Sequence, residues 1–417
     1  MLKNIKDNIK VLQINVRLTE GGAAQVALAL HCNLYKYNIK SIFYYGYSKD
    51  INNNKFEKDY ESVKRITGKF EVILRFLVNR LLGIEPSFIF QNSLKKISYI
   101  INKVNIIHLH VLHSYYIDYE KLINLLCLKK KVIWTLHDHW ITTGRCAFTD
   151  GCEYWKDGCG NCITKNNYPP SYFDISKINL ERKKFLLSVY SNNIIFVSPS
   201  KHLANDILVN HPLINVKVIP NSISNEIQKI IFSKKDNIEK LPLINKDFIK
   251  ILIVANDLSY SGKTNRNIVN AIANNINGEI ITIGKNSPFK SSKFTNLGEI
   301  SNKEILIDNY LNCDVLLFTS EVDNFPLVMC EALCCGLPIV ALKSSASDEI
   351  LSYVGAKSIN KDELMKFDNS FNIQLLYQGT KTRKDLSDLA LSKFDYNLMI
   401  DNYAKLYNEV LDESNYS

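Results

Sequence analysis

The sequence predicts an α/β protein made of two doubly wound parallel sheets, each covered by helices. Apolar runs of strand length alternate with helix-like segments along the chain, which is typical of parallel strands joined by crossover helices. The chain has 417 residues, which is more than one ordinary core accommodates. The pattern therefore divides into two domains.

The predicted strands form two series. The first series covers residues 11–16, 41–45, 106–110, 132–136, 194–197 and 216–219, and the second covers 251–255, 279–283, 314–319 and 338–342. Between them, the stretch around Ser224 and Asn225 and the run 233–247 are polar and weakly periodic, which predicts an interdomain linker. Residues 396–410 have a helical pattern.

Composition and charge exclude several functional classes. Hydrophobic residues make up 46% and charged residues 22% of the chain, as in soluble globular proteins. We find no apolar leader region and no run of roughly 20 apolar residues, so we expect a cytoplasmic protein. The net charge of +9 suits an anionic nucleotide or an anionic membrane surface. Without an arginine-rich stripe or an RNA-binding aromatic motif, we expect no nucleic-acid partner.

The most informative stretch is 314–341. It is predicted to form a buried strand, a polar loop, a short helix and a second buried strand. Asp323 and Asn324 are suitable N-caps, and Pro326 stands where a first-turn proline belongs. Gly336 and Pro338 end the helix.

The start of this helix predicts an anion site. Its free backbone N–H groups would face the carboxyl ends of parallel strands, where open α/β sheets bind anions. Asp323 lies at the mouth and Glu331 lies further along the helix, which suits a nucleotide sugar with hydroxyls on both sides of its diphosphate. The predicted substrate-binding residues here are Asn324, Phe325, Pro326, Leu327 and Glu331. The alternative is an ordinary βαβ unit with a solvated acidic loop.

Two features of the first half could also contact a ligand. Gly21 and Gly22 lie between a strand and a helix, where glycine lets the backbone approach a phosphate closely. His137 follows the strand 132–136, at the end where ligands bind, and its imidazole can donate to an anion or a hydroxyl. The alternatives are a tight turn and a histidine bonded within its loop.

Three further histidines, His108, His110 and His113, lie in the segment HLHVLHSYY. Residues 108 and 110 would lie on one face of a strand. We favour a loop-lining or structural role over a metal site, because no carboxylate has clear ligand spacing.

Four cysteines, Cys146, Cys152, Cys159 and Cys162, lie within seventeen residues. The last pair is a C-x-x-C with flanking glycines, as in zinc knuckles. We predict a structural zinc site that orders this long loop. Free thiols and disulfides are the alternatives, and a chain with ten cysteines and no leader favours reduced thiols over disulfides.

Residues 69–82 mix basic and bulky apolar side chains at helical spacing. We predict a helix that buries its apolar stripe in the core. The alternative is an interfacial helix on anionic lipid.

Together these segments resemble the retaining glycosyltransferases of the GT-B fold (glycosyl transferase group 1, family 4 type). The donor signature of that family is an acid, seven residues, a glutamate and then Ala-x-x-x-Gly-x-Pro-x-Val. Five residues match it in place: Glu331, Ala332, Gly336, Pro338 and Val340. Asp323 stands where the family usually has glutamate. The stretch from His137 through the cysteines is similar to a polysaccharide-biosynthesis subgroup.

The resemblance implies a GT-B fold, with two Rossmann-like domains facing a central cleft. Residues 1–222 would form the acceptor-side domain and 223–395 the nucleotide-sugar domain, with a final helix 396–417 returning to the first. His137 would contact the donor. Lys263 would bind its phosphate, although Thr264 replaces the usual glycine and Leu258 a frequent arginine. Asp323 would hold the sugar hydroxyls and Glu331 the ribose.

The implied activity is retaining transfer from a UDP- or GDP-sugar to a glycan or lipid-linked acceptor in bacterial surface polysaccharide synthesis. Catalysis would rest on His137, Lys263 and Asp323, with no protein nucleophile and no metal required for the chemistry. We expect the protein in the cytoplasm, peripheral to the inner face of the plasma membrane. The alternatives are a nucleotide-sugar 2-epimerase, which needs no acceptor, and an inactive nucleotide-sugar-binding scaffold.

Overall fold

The computed structural model describes residues 8–48, 61–83, 92–163, 169–240, 247–379 and 382–413. Residues 241–246 of the predicted linker and 414–417 of the predicted final helix therefore lie outside the described residues. The chain folds into two compact units, Met1–Ile219 with Ile400–Ser417, and Pro220–Met399. Each unit contains one parallel sheet with helices, so the predicted α/β class is confirmed.

The first unit is built on a seven-stranded sheet. Its strands are β1 (Lys10–Asn15), β2 (Lys40–Tyr45), β3 (Val63–Arg65), β4 (Ile106–Leu109), β5 (Val132–Thr135), β6 (Ile194–Ser198) and β7 (Val216–Val218). Their order is β3-β2-β1-β4-β5-β6-β7, and every neighbouring pair runs parallel. The order reverses between β1 and β4, which creates a switch point at their carboxyl ends.

Helices cover the sheet of the first unit. They are α1 (Gly22–Asn33), α2 (Lys69–Leu82), α3 (Asn92–Ile100), α4 (Tyr119–Cys127), α5 (Ser176–Tyr190) and α6 (Lys201–Asn210), with 3₁₀ turns at Leu34–Tyr37, Ile101–Lys103 and His139–Ile141. β4 and β5 are buried at every residue. This burial explains why both strands are continuous apolar runs rather than alternating ones.

The second unit repeats the plan with five strands. They are β8 (Ile249–Asp257), β9 (Gly278–Lys285), β10 (Phe294–Gly298), β11 (Val315–Phe318) and β12 (Ile339–Ala341), in the order β10-β9-β8-β11-β12. Its helices are α7 (Asn225–Ser233), α8 (Lys235–Lys240), α9 (Arg266–Asn275), α10 (Lys303–Asn312), α11 (Leu327–Cys334), α12 (Ser345–Ser352), α13 (Lys361–Leu364) and α14 (Arg383–Phe394), with a 3₁₀ turn at Ile373–Leu376. The switch point of this unit lies between β8 and β11.

Two strands, β3 and β10, are absent from the predicted series. Both are edge strands. β3 has only three residues, and four of the five residues of β10 are exposed. An edge strand that buries little apolar surface has no apolar run to reveal it.

The prediction of a linker is wrong for the first part of that segment, because helices α7 and α8 form there. Ile227, Ile231 and Ile238 are buried in the core of the second unit. Ser224 caps α7, since its side chain accepts from the N–H of Ile227 at 3.2 Å. Three isoleucines at helical spacing fix these helices to the unit although their other residues are mostly polar.

The final helix, α15 (Tyr396–Glu413), packs its second half onto the sheet of the first unit. Tyr403 and Tyr407 are fully buried there. Tyr407 Oη lies 2.8 Å from His108 Nδ1, and Tyr403 Oη lies 2.9 Å from Thr135 Oγ1. These bonds fix the helix across β4 and β5.

The prediction that α2 faces the core is wrong. Its buried residues are Glu71, Arg75 and Asn79, whereas Phe70 and Leu77 are exposed. On the buried side of α2, Arg75 and Glu71 neutralise each other in an ion pair, and the exposed apolar side chains lie on the opposite side. None of the described helices has the length and apolar character needed to cross a bilayer.

Candidate active site

The candidate donor site lies at the switch point of the second sheet. β8 and β11 are neighbours, and the chain leaves them toward opposite sides of the sheet. The loop after β8 carries Lys263, and the loop after β11 carries Asp323. Two predicted residues that are 60 positions apart therefore meet at one sheet edge.

Hydrogen bonds tie these two loops together. The N–H of Glu321 donates to the carbonyl of Gly262 at 3.0 Å. The N–H of Asn265 donates to Thr319 Oγ1, also at 3.0 Å. Because each loop holds the other, the positions of the side chains between these bonds are coupled.

Lys263 and Asp323 form an ion pair. Their side chains are 27% and 19% exposed, so the pair is open to solvent on one side. A lysine acts as a point charge toward phosphate, and a carboxylate accepts from hydroxyls. The pair places both functions at the mouth of the switch point.

The helix after this loop, α11, begins at Leu327. The prediction that Asp323 or Asn324 caps it is wrong, because the N-cap is Pro326 and no side chain bonds to the cap. Asp323 pairs with Lys263 instead. First-turn N–H groups lack intrahelical acceptors, so the amides of Leu327 and Val328 make this end of the helix attractive to an anion.

Gly336 ends α11 for a packing reason. Its φ is +68°, and a Cβ there would lie 2.3 Å from the carbonyl oxygen of Arg383. A side chain is therefore excluded by conformation and by space. The glycine of the donor signature thus fixes the packing of α11 against α14 and has no need of a ligand contact.

Glu331 lies on α11 with its carboxylate turned toward α10. Its Oε2 accepts from the hydroxyl of Tyr310 at 3.1 Å, and Lys303 is the nearest compensating charge. Burial raises the pKa of Glu331, and Lys303 and Tyr310 oppose that rise only in part. The structure therefore joins Lys263 with Asp323, while Glu331 has its own partners. The sequence did not indicate Tyr310.

The residues that differ from the family pattern have local roles. Leu258 is fully buried in the core of the second unit, and so is the side chain of Thr264. Arg266 Nη2 donates to the carbonyl of Ser259 at 3.0 Å, so it supports the backbone of the loop after β8. Core packing thus accounts for Leu258, where the family often has an arginine.

The glycine loop of the first unit follows β1. Gly21 is the N-cap of α1 at φ +93°, and Gly22 is the first helical residue. A Cβ on Gly21 would meet no atom within 4 Å, so backbone conformation requires this glycine. The space beside the start of α1 is open, and the assignment of Gly21 and Gly22 to phosphate binding stays a prediction.

A row of three histidines, His108, His110 and His137, lies at the ends of β4 and β5. His108 and His110 lie on one face with ring centroids 4.2 Å apart, and His110 Nδ1 lies 3.2 Å from His137 Nε2. Burial lowers the pKa of His108 to about 3 and that of His137 to about 4, and it lowers the pKa of His110 well below the usual value. All three rings are neutral near pH 7.

We assign the tautomer of His137 from a chain of hydrogen bonds that begins at the backbone of α1 and passes through Gln13 and His110. The amide oxygen of Gln13 accepts from the N–H of His31 (3.1 Å), and its nitrogen donates to the carbonyl of Ala27 (3.2 Å) and to His110 Nε2 (3.1 Å). In the opposite orientation, the amide oxygen of Gln13 would face hydrogen-bond acceptors and its nitrogen would face donors. Neutral His110 therefore carries its proton on Nδ1 and donates to His137 Nε2. Neutral His137 then carries its proton on Nδ1 and is a donor there.

The loop after β4 is strained. Ser114 and Tyr115 both adopt left-handed conformations, at φ +81° and +70°. Such strain in non-glycine residues persists only where surrounding bonds enforce it, and it is concentrated at functional sites. His113 Nε2 bonds to Asp138 at 2.8 Å, which links this loop to the one that carries His137.

Asp138 has a structural role. Burial raises its pKa, but His113 and the N–H of Trp140 outweigh that effect and leave the pKa lowered. His139 bonds to Asp206 at 2.9 Å. Both residues position the loop around His137.

The four cysteines of the predicted zinc site line one small cavity, of about 20 Å³. All four are free thiols, and Cys159 Sγ accepts from the N–H of Gly144 at 3.2 Å. Residues 158–161 are left-handed at four successive positions, two of them non-glycine. Across the described part of the chain, however, no group of three or more His, Cys, Asp or Glu side chains is arranged to hold a metal ion. Zinc stays a prediction, which elemental analysis of the purified protein tests.

The two doubly wound parallel sheets, together with the solved structures that the chain resembles, place it in the GT-B fold class. The model for "Glycosyl transferases group 1" matches residues 290–356, which include Asp323 and Glu331. The crystal structure of Anabaena Alr3699/HepE in complex with UDP matches at a TM-score of 0.61 and 14% identity, covering 96% of this chain and 100% of that one.

Two curated relatives extend the comparison. The chain is 33% identical over 417 residues to the putative colanic acid biosynthesis glycosyl transferase WcaC of Escherichia coli (strain K12), covering 96% of this chain and 100% of the relative. It is 27% identical over 208 residues to the N,N'-diacetylbacillosaminyl-diphospho-undecaprenol alpha-1,3-N-acetylgalactosaminyltransferase of Campylobacter jejuni, covering 47% and 52%. The chain therefore belongs to the group 1 glycosyl transferases.

Replacing Glu331 by glutamine should separate stability from activity. Burial raises the pKa of Glu331, so ionising this carboxyl costs more free energy in the folded protein than in the unfolded chain. The free energy of unfolding therefore falls as pH rises from 4.5 toward the folded-state pKa. At neutral pH, Glu331→Gln should melt at or above the wild-type temperature, and the difference should shrink below pH 4.5. Its kcat/KM should still fall. A variant that loses stability and keeps its activity would show that Glu331 is only structural.

The His137 tautomer can be read directly. In long-range ¹H–¹⁵N spectra of protein labelled at histidine, the signals that disappear in His137→Ala should be those of a neutral ring protonated on Nδ1. A ring protonated on Nε2, or one that titrates near pH 6.5, would contradict the hydrogen-bond chain from Gln13 through His110.

Proposed function

We propose that the chain is a retaining glycosyltransferase that moves a sugar from a UDP- or GDP-sugar to a glycan or lipid-linked acceptor in bacterial surface polysaccharide synthesis. The relatives support the polysaccharide context, the lipid-linked acceptor and the use of a nucleotide sugar. One is named for colanic acid biosynthesis, and the other for an acceptor on diphospho-undecaprenol. The Anabaena protein has been solved with UDP and with UDP-glucose.

The observation that carries this proposal is the ion pair of Lys263 and Asp323 at the switch point, beside the start of α11. When the donor binds, its diphosphate takes the place of the Asp323 carboxylate on Lys263. The released carboxylate then accepts from hydroxyls of the sugar. The ion pair holds both groups in position before the donor arrives.

Transfer needs the departing diphosphate to be stabilised. Lys263 supplies a positive charge, and the N–H groups of Leu327 and Val328 supply aligned dipoles. The acceptor hydroxyl attacks the anomeric carbon on the face that the diphosphate leaves, and its proton passes to a departing phosphate oxygen. The anomeric configuration is retained, no protein nucleophile takes part, and the residues act mainly by positioning.

Two residues bind more distant parts of the donor in this proposal. Glu331, held by Tyr310 at 3.1 Å, accepts from the ribose hydroxyls. His137 contributes its Nδ1–H to the sugar or its phosphate. A neutral imidazole suits this role because it remains a donor without competing with Lys263 for the negative charge.

Lys263→Met should lower kcat/KM by about 10²-fold, comparable to the loss of one oxyanion donor. The measurement is release of nucleoside diphosphate with the correct donor and acceptor. Lys285→Met is the matched control, because Lys285 ends the neighbouring strand β9 and also forms an ion pair, with Glu299 at 3.1 Å. Equal activity in the two variants would contradict the role of Lys263.

The same assay separates the rival activities. A transferase releases the nucleoside diphosphate at a rate that depends on acceptor, and the anomeric coupling of the product in ¹H NMR should match that of the donor. Conversion of the donor sugar without acceptor would indicate an epimerase. Binding of the donor without any turnover would indicate a scaffold.

A further inference from the structure

Helix α2 of the first unit has its polar side buried and its apolar side exposed. Glu71, Arg75 and Asn79 are 4%, 0% and 9% exposed. Four large apolar side chains are turned to solvent: Phe70 is 69%, Ile73 56%, Leu77 47% and Leu81 53% exposed. Their spacing of three and four residues places them on one face.

The buried side fixes this orientation. Arg75 Nε bonds to Glu71 Oε1 at 3.4 Å, and Lys96 adds a second positive charge near the Glu71 carboxylate. A rotation of α2 that hid its apolar face would carry this ion pair into solvent and move Glu71 away from Lys96. The buried polar contacts therefore keep the apolar face exposed.

The apolar face continues beyond the end of α2. The N–H of Tyr172 donates to the carbonyl of Arg80 at 3.0 Å, and the Arg80 guanidinium lies 4.7 Å from the Tyr172 ring centroid. Tyr172 and Phe173 are 58% and 62% exposed, and Leu82 is 48% exposed. We call Phe70, Ile73, Leu77, Leu81, Leu82, Tyr172 and Phe173 the apolar face. An exposed set of this size marks an interaction site.

The charged residues of α2 outside its buried side are both basic. Lys69 is exposed at one end of α2, and Arg80 lies near the other. The one acid of the helix, Glu71, is buried and paired. Apolar side chains with basic residues around them match a bilayer that carries anionic head groups.

We propose that the apolar face docks the first unit on the anionic surface of a lipid bilayer, with Phe70, Ile73, Leu77 and Leu81 entering the boundary between head groups and acyl chains. Lys69 and Arg80 then lie at head-group level. Such docking would place the first unit beside a lipid-linked acceptor. The proposal itself does not depend on which donor or acceptor is used.

Sedimentation with vesicles tests the proposal on the full chain. The protein should bind vesicles of phosphatidylcholine containing phosphatidylglycerol, bind pure phosphatidylcholine much more weakly, and be released by salt. Ile73→Gln/Leu77→Gln should weaken binding by about tenfold or more, because two large side chains no longer leave water.

A matched control removes the same kind of surface elsewhere. Phe185 and Val189 lie on α5 of the same unit, are 72% and 53% exposed, and have the same four-residue spacing. Phe185→Gln/Val189→Gln should bind vesicles like the wild type, and circular dichroism should show both variants folded. Because partition is measured without substrate, failure of the proposed transferase activity leaves this test intact.

Two results would overturn the proposal. One is equal vesicle binding by wild type and Ile73→Gln/Leu77→Gln. The other is a wild-type protein that ignores anionic vesicles but self-associates through this face, with the association lost in the α2 variant. The second result would assign the apolar face to another copy of the chain.

Discussion

The parallel pairing of β8 with β11 is the constraint on which the candidate donor site depends. Because the sheet order reverses there, the loops after the two strands meet at the edge of the sheet where doubly wound folds bind ligands. Hydrogen bonds between these loops fix their positions, and Lys263 and Asp323 form an ion pair at this edge. In the proposed reaction, the same pair opens to accept the donor. The reversal of strand order between β8 and β11 therefore determines where the candidate site lies and which two charged residues meet there.

Both units hold polar groups inside apolar surroundings at their switch points. Glu331 is kept beside Tyr310 although burial raises its pKa, and His137 is held as a neutral donor by Gln13 and His110. Folding alone would favour apolar side chains at such positions. We interpret these residues as groups that are oriented before a ligand binds, at a cost in stability that the large cores around them offset.

The sequence predicted what apolar periodicity and short-range spacing encode. The ten predicted strands are present, and most of them are buried apolar runs, whereas the edge strands β3 and β10 bury too little surface to be recognised. Spacing selected Asp323 and Glu331 as candidates and the family resemblance selected Lys263, but neither could reveal Tyr310, which looks like one more core position of α10. The inverted helix α2 was misjudged because helical periodicity identifies two faces without telling which one is buried.

The central claim is that Lys263 binds the donor diphosphate, and calorimetric titration tests it most directly. Lys263→Met should bind UDP about tenfold more weakly or worse, since a charge-assisted bond is lost, yet bind uridine like the wild type. Asp323→Asn should bind UDP at least as tightly as the wild type, because Lys263 loses its competing partner; GDP and guanosine are the parallel pair if the donor is a GDP-sugar. Undiminished nucleoside diphosphate binding by Lys263→Met, or an equal loss for the nucleoside, would contradict the account.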